Sequence, residues 1–434
     1  ARAYRSLTEN DTIRAKTYAQ RAIEKATDIQ QPGYRQGMAL LGIAHWAEGD
    51  LQSADEIITT LFENMLHVQN FSDAMVSFVL SEIKLMRGRL REAFALHERL
   101  QAAIEASDET SPLGMEDFHR GLCILHHERG ELNEAQLQLQ QAEKLGERTT
   151  LPNWKHRLYI TTARLNITQG YLENAQQYLI EAIHQYKPTP LPQVRSAEVI
   201  KVEVWIRQYR LEQAQEWVDQ QELAVDDDII FMQEFHYITY ARLLIAKSRQ
   251  QTNPADKQRL HEDALYLLKR LEHSATEGGR VGSLLEILCL QAVAYQQQNE
   301  ISPALEALLQ ALKLATPEGF VRVFLDEGQP MHELLKTALK NKIKTEYVRH
   351  ILLASGNTNS TPAPVDQSAL IDPLSEREMD VLRMLNTDLS GPQIADELMI
   401  SLNTMRTHTK NIYSKLNVNS RRAAVRRATE LDLL

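Results

Sequence analysis

Four six-residue stretches share the pattern G-x-L-x-x-A and return at intervals of about 40 residues: GDLQSA at 49–54, GRLREA at 88–93, GELNEA at 130–135 and GYLENA at 170–175. Degenerate copies lie at 10–15, 209–214 and 299–304. The glycine can adopt the left-handed backbone that ends a helix, and the small alanine lets the next helix pack closely. The pattern therefore predicts the turns of a repeating helix pair.

Apolar residues at helical spacing lie on both sides of each turn, so every period reads as two amphipathic helices. One such pair cannot bury its apolar face alone, and neighbouring pairs must stack. The fold class we predict is all-α, with a TPR-like α-solenoid over residues 1–330. The long interval between 209–214 and 299–304 leaves room for one more pair. We expect its second helix near 261–271 and a polar loop at 248–257.

Three further segments follow the repeats. A helical stretch at 331–353 is predicted to cap the solenoid, and the polar, proline-containing residues 354–370 read as a flexible linker. Residues 371–434 form the last predicted domain. Its central part, 374–421, reads LSEREMDVLRMLNTDLSGPQIADELMISLNTMRTHTKNIYSKLNVNSR.

Short helices separated by capping signals are predicted in this last domain, and only a few residues join the second helix to the third. Met405, Ile412 and Leu416 should form the inner face of the third helix. From Ser401 to Thr429 there are seven Lys or Arg and no Asp or Glu. A basic helix after a tight turn is typical of a reader of duplex DNA.

The residues of this domain closely resemble the four-helix LuxR-type helix-turn-helix domain. The matching segments are Leu374–Glu378, Leu389–Leu398, Ser401–His408 and Asn411–Arg421. Mild departures occur, such as Met405 and Arg406 where the family usually has Val and Lys. The resemblance implies sequence-specific binding of double-stranded DNA.

Candidate DNA contacts divide into two groups. Arg406 can pair with guanine through two hydrogen bonds and Lys410 can donate to the same edge; in the resembled domain these positions and that of Thr407 read bases. Hydroxyl, amide and cationic groups suit phosphate oxygens, and on that ground the expected backbone contacts are Thr404, Asn411, Lys415 and Arg421. His408 is assigned either a structural hydrogen bond or a phosphate contact.

Residues 240–246, YARLLIA, and the stretch from 284 to 328, ending ATPEGFVRVFLDEG, are similar to the MalT-type large ATP-binding regulators. In that family an ATPase precedes a superhelical sensor and a LuxR-type domain. The resemblance implies an inducer-gated, ATP-dependent transcription activator. Such an activator is expected to bind DNA as a dimer or oligomer and to contact RNA polymerase. ATP binding is not expected in this chain, because no glycine is followed by lysine and G-x-x-x-x-G-K-S/T is absent.

Charge separates the two parts of the chain. The net charge is −10, yet residues 371–434 hold nine basic and nine acidic groups, so residues 1–370 carry the whole excess. DNA should repel that acidic part. No apolar run reaches the roughly 18 residues of a membrane span, and Cys123 and Cys289 are expected to be buried, reduced thiols of a cytoplasmic protein. The chain begins at Ala1 rather than at Met, and we expect it to belong to a longer protein.

The inducer or protein partner is expected on the concave face of the solenoid. Aromatic residues are dense in the later repeats, and the candidate ligand groove is Trp205, Trp217, Tyr237, Tyr240, Tyr266 and Tyr295. The alternative is that these rings pack helix against helix. No pattern supports a metal site or an enzyme. The competing function is a protein-interaction scaffold with a vestigial DNA-binding domain.

Overall fold

Helices and turns make up the described part of the chain, which we analysed as a computed structural model. The described residues are 1–29, 31–67, 75–106, 114–147, 149, 153–358, 376–387, 389–397 and the single positions Met405, Thr409, Ile412, Val418, Arg421, Ala424, Val425 and Ala428. They divide into two compact units, Ala1–Thr358 and Asn359–Leu434. The all-α prediction is confirmed.

Eight helix pairs build the first unit, counted over its described residues. The first helices are α1 (Arg2–Thr8), α3 (Pro32–Glu48), α5 (Met75–Met86), α7 (Met115–Glu128), α9 (Trp154–Thr168), α11 (Ala197–Arg207), α13 (Glu234–Gln250) and α15 (Val281–Gln297). The second helices are α2 (Thr12–Lys25), α4 (Leu51–His67), α6 (Leu90–Glu105), α8 (Leu132–Gly146), α10 (Leu172–Gln185), α12 (Leu211–Gln220), α14 (Pro254–Glu277) and α16 (Ile301–Ala315). A short 3-10 helix, Phe231–Gln233, precedes α13.

Every predicted turn has the expected backbone. The first residue has a positive φ, from 57° at Asn10 to 84° at Gly49. The next residue closes the turn by donating its N–H to a carbonyl of the preceding helix, as Asp50 does to His45 at 3.0 Å. The alanine of each copy is fully buried: Ala15, Ala54, Ala93, Ala135, Ala175, Ala214 and Ala304. Packing of the two helices therefore depends on this small residue.

The additional pair in the long interval is confirmed as α13 and α14, with different boundaries. The predicted loop at 248–257 is shorter, because α13 runs to Gln250 and α14 already begins at Pro254. Proline at the first helical position loses no hydrogen bond, and Asn253 caps the helix by accepting from the Ala255 N–H at 3.0 Å. A further tight turn at Gly279 (φ 62°) connects α14 to α15, and the sequence pattern did not predict it.

After the repeats the chain forms α17 (Arg322–Leu325), α18 (Gln329–Lys340) and α19 (Thr345–Thr358). The predicted cap is thus two helices joined by residues 341–344, and α19 extends into the segment predicted as linker. Ala354 packs on the main hydrophobic core and Ser355 donates to the Leu352 carbonyl at 2.6 Å, so the helix continues. The rest of that linker, from residue 359, lies outside the described residues.

Late helices of the solenoid contact early ones. The Val321 N–H donates to the Glu128 carbonyl at 2.8 Å, and the Arg91 N–H donates to the Glu318 carboxylate at 3.0 Å. Phe320, Val321 and Phe324 are buried in the same core. We call residues 316–328 the closing segment, because it joins the last repeat to α6 and α7.

The second unit contains α20 (Glu376–Leu385) and α21 (Gly391–Glu397) in its described part. Its core is formed by Val381, Leu382, Leu385, Ile394, Ala395, Met405, Ile412, Ala424 and Ala428. These include Met405 and Ile412, which the helix-turn-helix pattern assigned to the inside, whereas Leu416 lies outside the described residues. No helix in the described residues of either unit is both long enough and apolar enough to span a membrane.

Candidate DNA-binding domain and central cavity

The inner face of the third predicted helix packs on the core of the second unit. Met405 and Ile412 are 5% and 0% exposed, as the sequence predicted, and Thr409 lies half-buried between them. The Thr409 hydroxyl donates to the Met405 carbonyl at 2.9 Å, one helical turn away. A helix at these positions is therefore anchored to the core by residues spaced four and three apart.

Seven of the candidate DNA contacts lie outside the described residues. They are Thr404, Arg406, Thr407, His408, Lys410, Asn411 and Lys415. Their roles stay predictions. The capping signal at α21 is described: Ser390 donates both its N–H, at 2.9 Å, and its hydroxyl, at 2.7 Å, to the Gln393 side chain.

Arg421, the remaining candidate, has a role within the protein that the sequence did not predict. Its guanidinium donates to the carbonyls of Leu385 at 2.8 Å and Leu389 at 2.5 Å, and also to those of Met384 and Thr387. These carbonyls end α20 and form the loop before α21. One cation thus satisfies the exposed end of α20 and holds that loop, which leaves little of its donor capacity for a phosphate.

The six aromatic residues of the candidate ligand groove lie in different surroundings. Trp217 and Tyr237 are buried in the hydrophobic cores, and Trp217 stacks on His236. Trp205, Tyr240 and Tyr295 are partly buried against those cores, whereas Tyr266 is exposed. In the described structure none of the six lines the central cavity. All of them except Tyr266 therefore pack between helices, which was the alternative interpretation.

The first helices instead line a partly open central cavity of about 310 Å³. Its walls come from the first helices α3 to α15, from residues 189–196 before α11 and from the closing segment; lining by the first helices is expected for a solenoid. Apolar side chains such as Trp46, Phe78 and Ile160 alternate with charged ones. The sequence predicted the face but not these residues, because no local pattern marks positions that meet only after the repeats stack.

One charged group in the cavity joins α7 and α9. Arg120 donates to Asp117 at 2.9 Å, and Arg157 donates to the same carboxylate at 2.6 Å. Burial, the largest effect, would raise the pKa of Asp117, but the two guanidinium groups together hold it below its ordinary value. Arg164 donates to Glu128 at 2.8 Å.

A second charged group joins α11, α13, α15 and the closing segment. Arg195 bridges Glu203 at 2.7 Å and Glu286 at 3.0 Å, and Arg242 bridges Glu286 at 2.8 Å and Glu327 at 2.7 Å. Two cations thus bind three carboxylates, of which the outermost two, Glu203 and Glu327, are 124 residues apart in sequence. Removing one partner of such a network would leave a buried charge unpaired, which is strongly destabilising.

Two cysteines are described and both are buried and free, as expected. Burial raises the pKa of Cys123 to about 12. The neighbouring His126 and His127 bond elsewhere, His126 to Glu131 at 2.6 Å and His127 to Thr168 at 2.7 Å. Over the described residues no cluster of His, Cys, Asp and Glu could hold a metal ion.

Comparison with known proteins agrees with this architecture. Residues 1–341 match the family described as MalT-like TPR region, and residues 372–428 match that of bacterial regulatory proteins, luxR family. The chain is 27% identical to the HTH-type transcriptional regulator MalT of Yersinia enterocolitica and 26% identical to that of Serratia proteamaculans. Each match covers 62% of this chain and 31% of the relative, so the chain spans about a third of their length. Because the first family covers most of the chain, the protein belongs to the MalT-like transcriptional regulators and ends in a LuxR-family domain.

Proposed function

We propose that this chain is the sensory and DNA-binding portion of a transcription activator. The observation that carries the proposal is the helix-turn-helix pattern with its inner residues, Leu382, Ile394, Met405 and Ile412, buried in one small core. Helical spacing predicts that Arg406 and Lys410 point away from Met405 and Ile412, where they could contact a groove of DNA. Residues 1–370 carry the whole excess of negative charge, which should repel phosphate.

Sensing is assigned to the central cavity rather than to the aromatic residues of the later repeats. An inducer or a protein partner there would change the solenoid, and the reader domain would bind DNA as a dimer or oligomer and meet RNA polymerase in the cytoplasm. Enzyme activity is not part of the proposal. Nor is a nucleotide site in these 434 residues, because the phosphate-binding glycine-lysine motif is absent from them.

Binding of the full chain to promoter fragments tests the proposal. Arg406→Ala should weaken specific binding by about 1–3 kcal/mol and relax the preference at one base pair. Lys415→Ala should weaken all sequences alike and lower the salt slope by about 1, because it is assigned to a phosphate. Arg349→Ala, which removes an exposed charge from α19, is the control and should change neither.

Two results would contradict the assignment. Equal losses of specific and non-specific binding in Arg406→Ala and Lys415→Ala would mean that the base-reading and phosphate-binding roles are wrongly divided. A chain that retards no duplex at low salt would favour the competing function, a scaffold with a vestigial DNA-binding domain.

A further inference from the structure

Arg120 presents an unused donor inside the central cavity. It is 4% exposed, its Nε donates to Asp117 at 2.9 Å, and its guanidinium lies 3.9 Å from the Phe78 ring centroid. Nη1 reaches Thr161 only at 3.5 Å, and Nη2 is buried with no partner in the described structure. A buried N–H without an acceptor is costly. The carboxylate and the ring hold this donor in place for an acceptor that the protein does not supply.

Arg164 provides a second cation on the neighbouring helix. Its Nη2 donates to Glu128 at 2.8 Å, and its side chain is 30% exposed where it lines the cavity. Across the described residues, no other hydrogen bond engages this guanidinium. Arg120, Arg164 and Glu82 all line the same cavity.

Two carboxylates accept hydrogen bonds from the arginines in this part of the cavity. Asp117 accepts from Arg120 and Arg157, and Glu128 accepts from Arg164. Glu82, on α5, also faces the cavity but bonds to no described residue. Burial, the largest effect, raises the pKa of Glu82 with help from Glu128 and Asp117, against Arg120 and Arg164. Proton uptake by Glu82 removes one negative charge from this part of the cavity.

Apolar surface adjoins this cationic corner. Phe78, Met86, Ile124 and Ile160 line the same cavity, whose volume of about 310 Å³ is at the small end of ligand pockets. A guanidinium fork matches the two oxygens of a carboxylate. We infer that the central cavity binds a small organic acid, with its carboxylate between Arg120 and Arg164 and its apolar body against these side chains.

The inference deepens the proposed sensory role and rests on it for its regulatory meaning, whereas binding itself can be measured without DNA. Calorimetry on the full chain would compare the straight-chain acids from butanoate to octanoate with the corresponding primary amides. Each amide keeps the shape and removes the charge. At least one acid should bind about tenfold more tightly than its amide.

Variants then locate the carboxylate. Arg164→Gln should weaken the acid about tenfold and leave the amide unchanged, and Arg164→Lys should restore part of the loss. Arg99→Gln is the matched control, since Arg99 is exposed and pairs with Glu63 on the outer helices. If no acid exceeds its amide, or if Arg164→Gln binds the acid normally, the inference is overturned.

Glu82 supplies an independent readout. Its deprotonation should repel the ligand, so affinity for the acid should fall as the pH rises through the Glu82 titration. Glu82→Gln should bind more tightly at high pH and remove that dependence, and a wild-type dependence that persists in this variant would contradict the model. Promoter binding by the same preparations separates the two ideas, because loss of DNA binding with intact acid binding refutes the proposed function alone.

Discussion

Gly88 and Gly170 occupy equivalent turns of the solenoid but differ in what surrounds them. Their φ angles are 71° and 82°, in the region that L side chains rarely adopt. A Cβ on Gly170 would meet nothing within 4 Å, whereas a Cβ on Gly88 would lie 2.5 Å from Val281 Cγ1 and 2.6 Å from its Cβ. Val281 begins α15, far along the chain. The two alanine variants therefore separate backbone strain from contact between distant repeats.

The expected magnitudes follow from these contacts. Gly170→Ala should cost about 1 kcal/mol, the penalty of a left-handed non-glycine residue. Gly88→Ala has the same penalty plus about 1–3 kcal/mol of overpacking, because the Cβ of a stiff β-branched residue cannot rotate away. We expect a total of about 2–4 kcal/mol for this variant.

Urea denaturation of the full chain, followed by far-UV circular dichroism, measures the difference through the midpoint and slope. Gly88→Ala combined with Val281→Ala is the control, since the smaller side chain should recover part of the loss. If Gly88→Ala and Gly170→Ala differ by less than about 0.5 kcal/mol, early and late repeats do not touch at this point.

Two other changes test the packing of each unit. Arg421→Lys keeps the charge, but a lysine cannot donate to all four carbonyls, so the variant should lose about 2–3 kcal/mol of local stability. Hydrogen exchange of the amides in α20 measures this loss. Unchanged protection of those amides would contradict the structural role of Arg421. Burial lowers the pKa of His97 to about 4, so the unfolded chain takes up its proton first as the pH falls. The contribution of neutral His97 to the free energy of unfolding is fully present above about pH 6.5 and should fall by up to about 3 kcal/mol toward pH 4. Urea midpoints across this range should fall less in His97→Gln, and an equal fall in both proteins would contradict the assignment.

The helix pairs could be predicted from the sequence because their signal is local. Each helix–helix turn needs a residue with a positive φ, supplied by Gly49, Gly88, Gly130 and Gly170. It also needs a small residue five positions later, where the alanine is fully buried. The turn at Gly279 was missed because Leu284 stands where the other copies have Ala. Leu284 is half-buried, so a larger residue is accommodated there.

The cavity residues could not be predicted, for a physical reason. Glu82, Arg120 and Arg164 belong to three successive repeats, and each reads in its own helix as an ordinary charged position. These three residues differ from other charged residues in having few hydrogen-bond partners within the protein. Which partners they have depends on how the repeats stack. Aromatic density alone does not identify a ligand site, since large rings are also what pack one helix against the next.

The closing segment links the cavity to the end of the solenoid. Asp326 and Glu327 line the cavity, and Glu327 accepts from Arg242, which also holds Glu286 of α15. Tyr347 of α19 donates to the carbonyls of Ala315 and Phe320 at 3.1 and 2.7 Å, so the segment is bonded to the last helix of the unit as well. A ligand acts on such an arrangement only as far as it binds two states of it differently. A ligand carboxylate that bound as we propose would change which of these ion pairs are favourable, and α19 is the next element that such a rearrangement would reach.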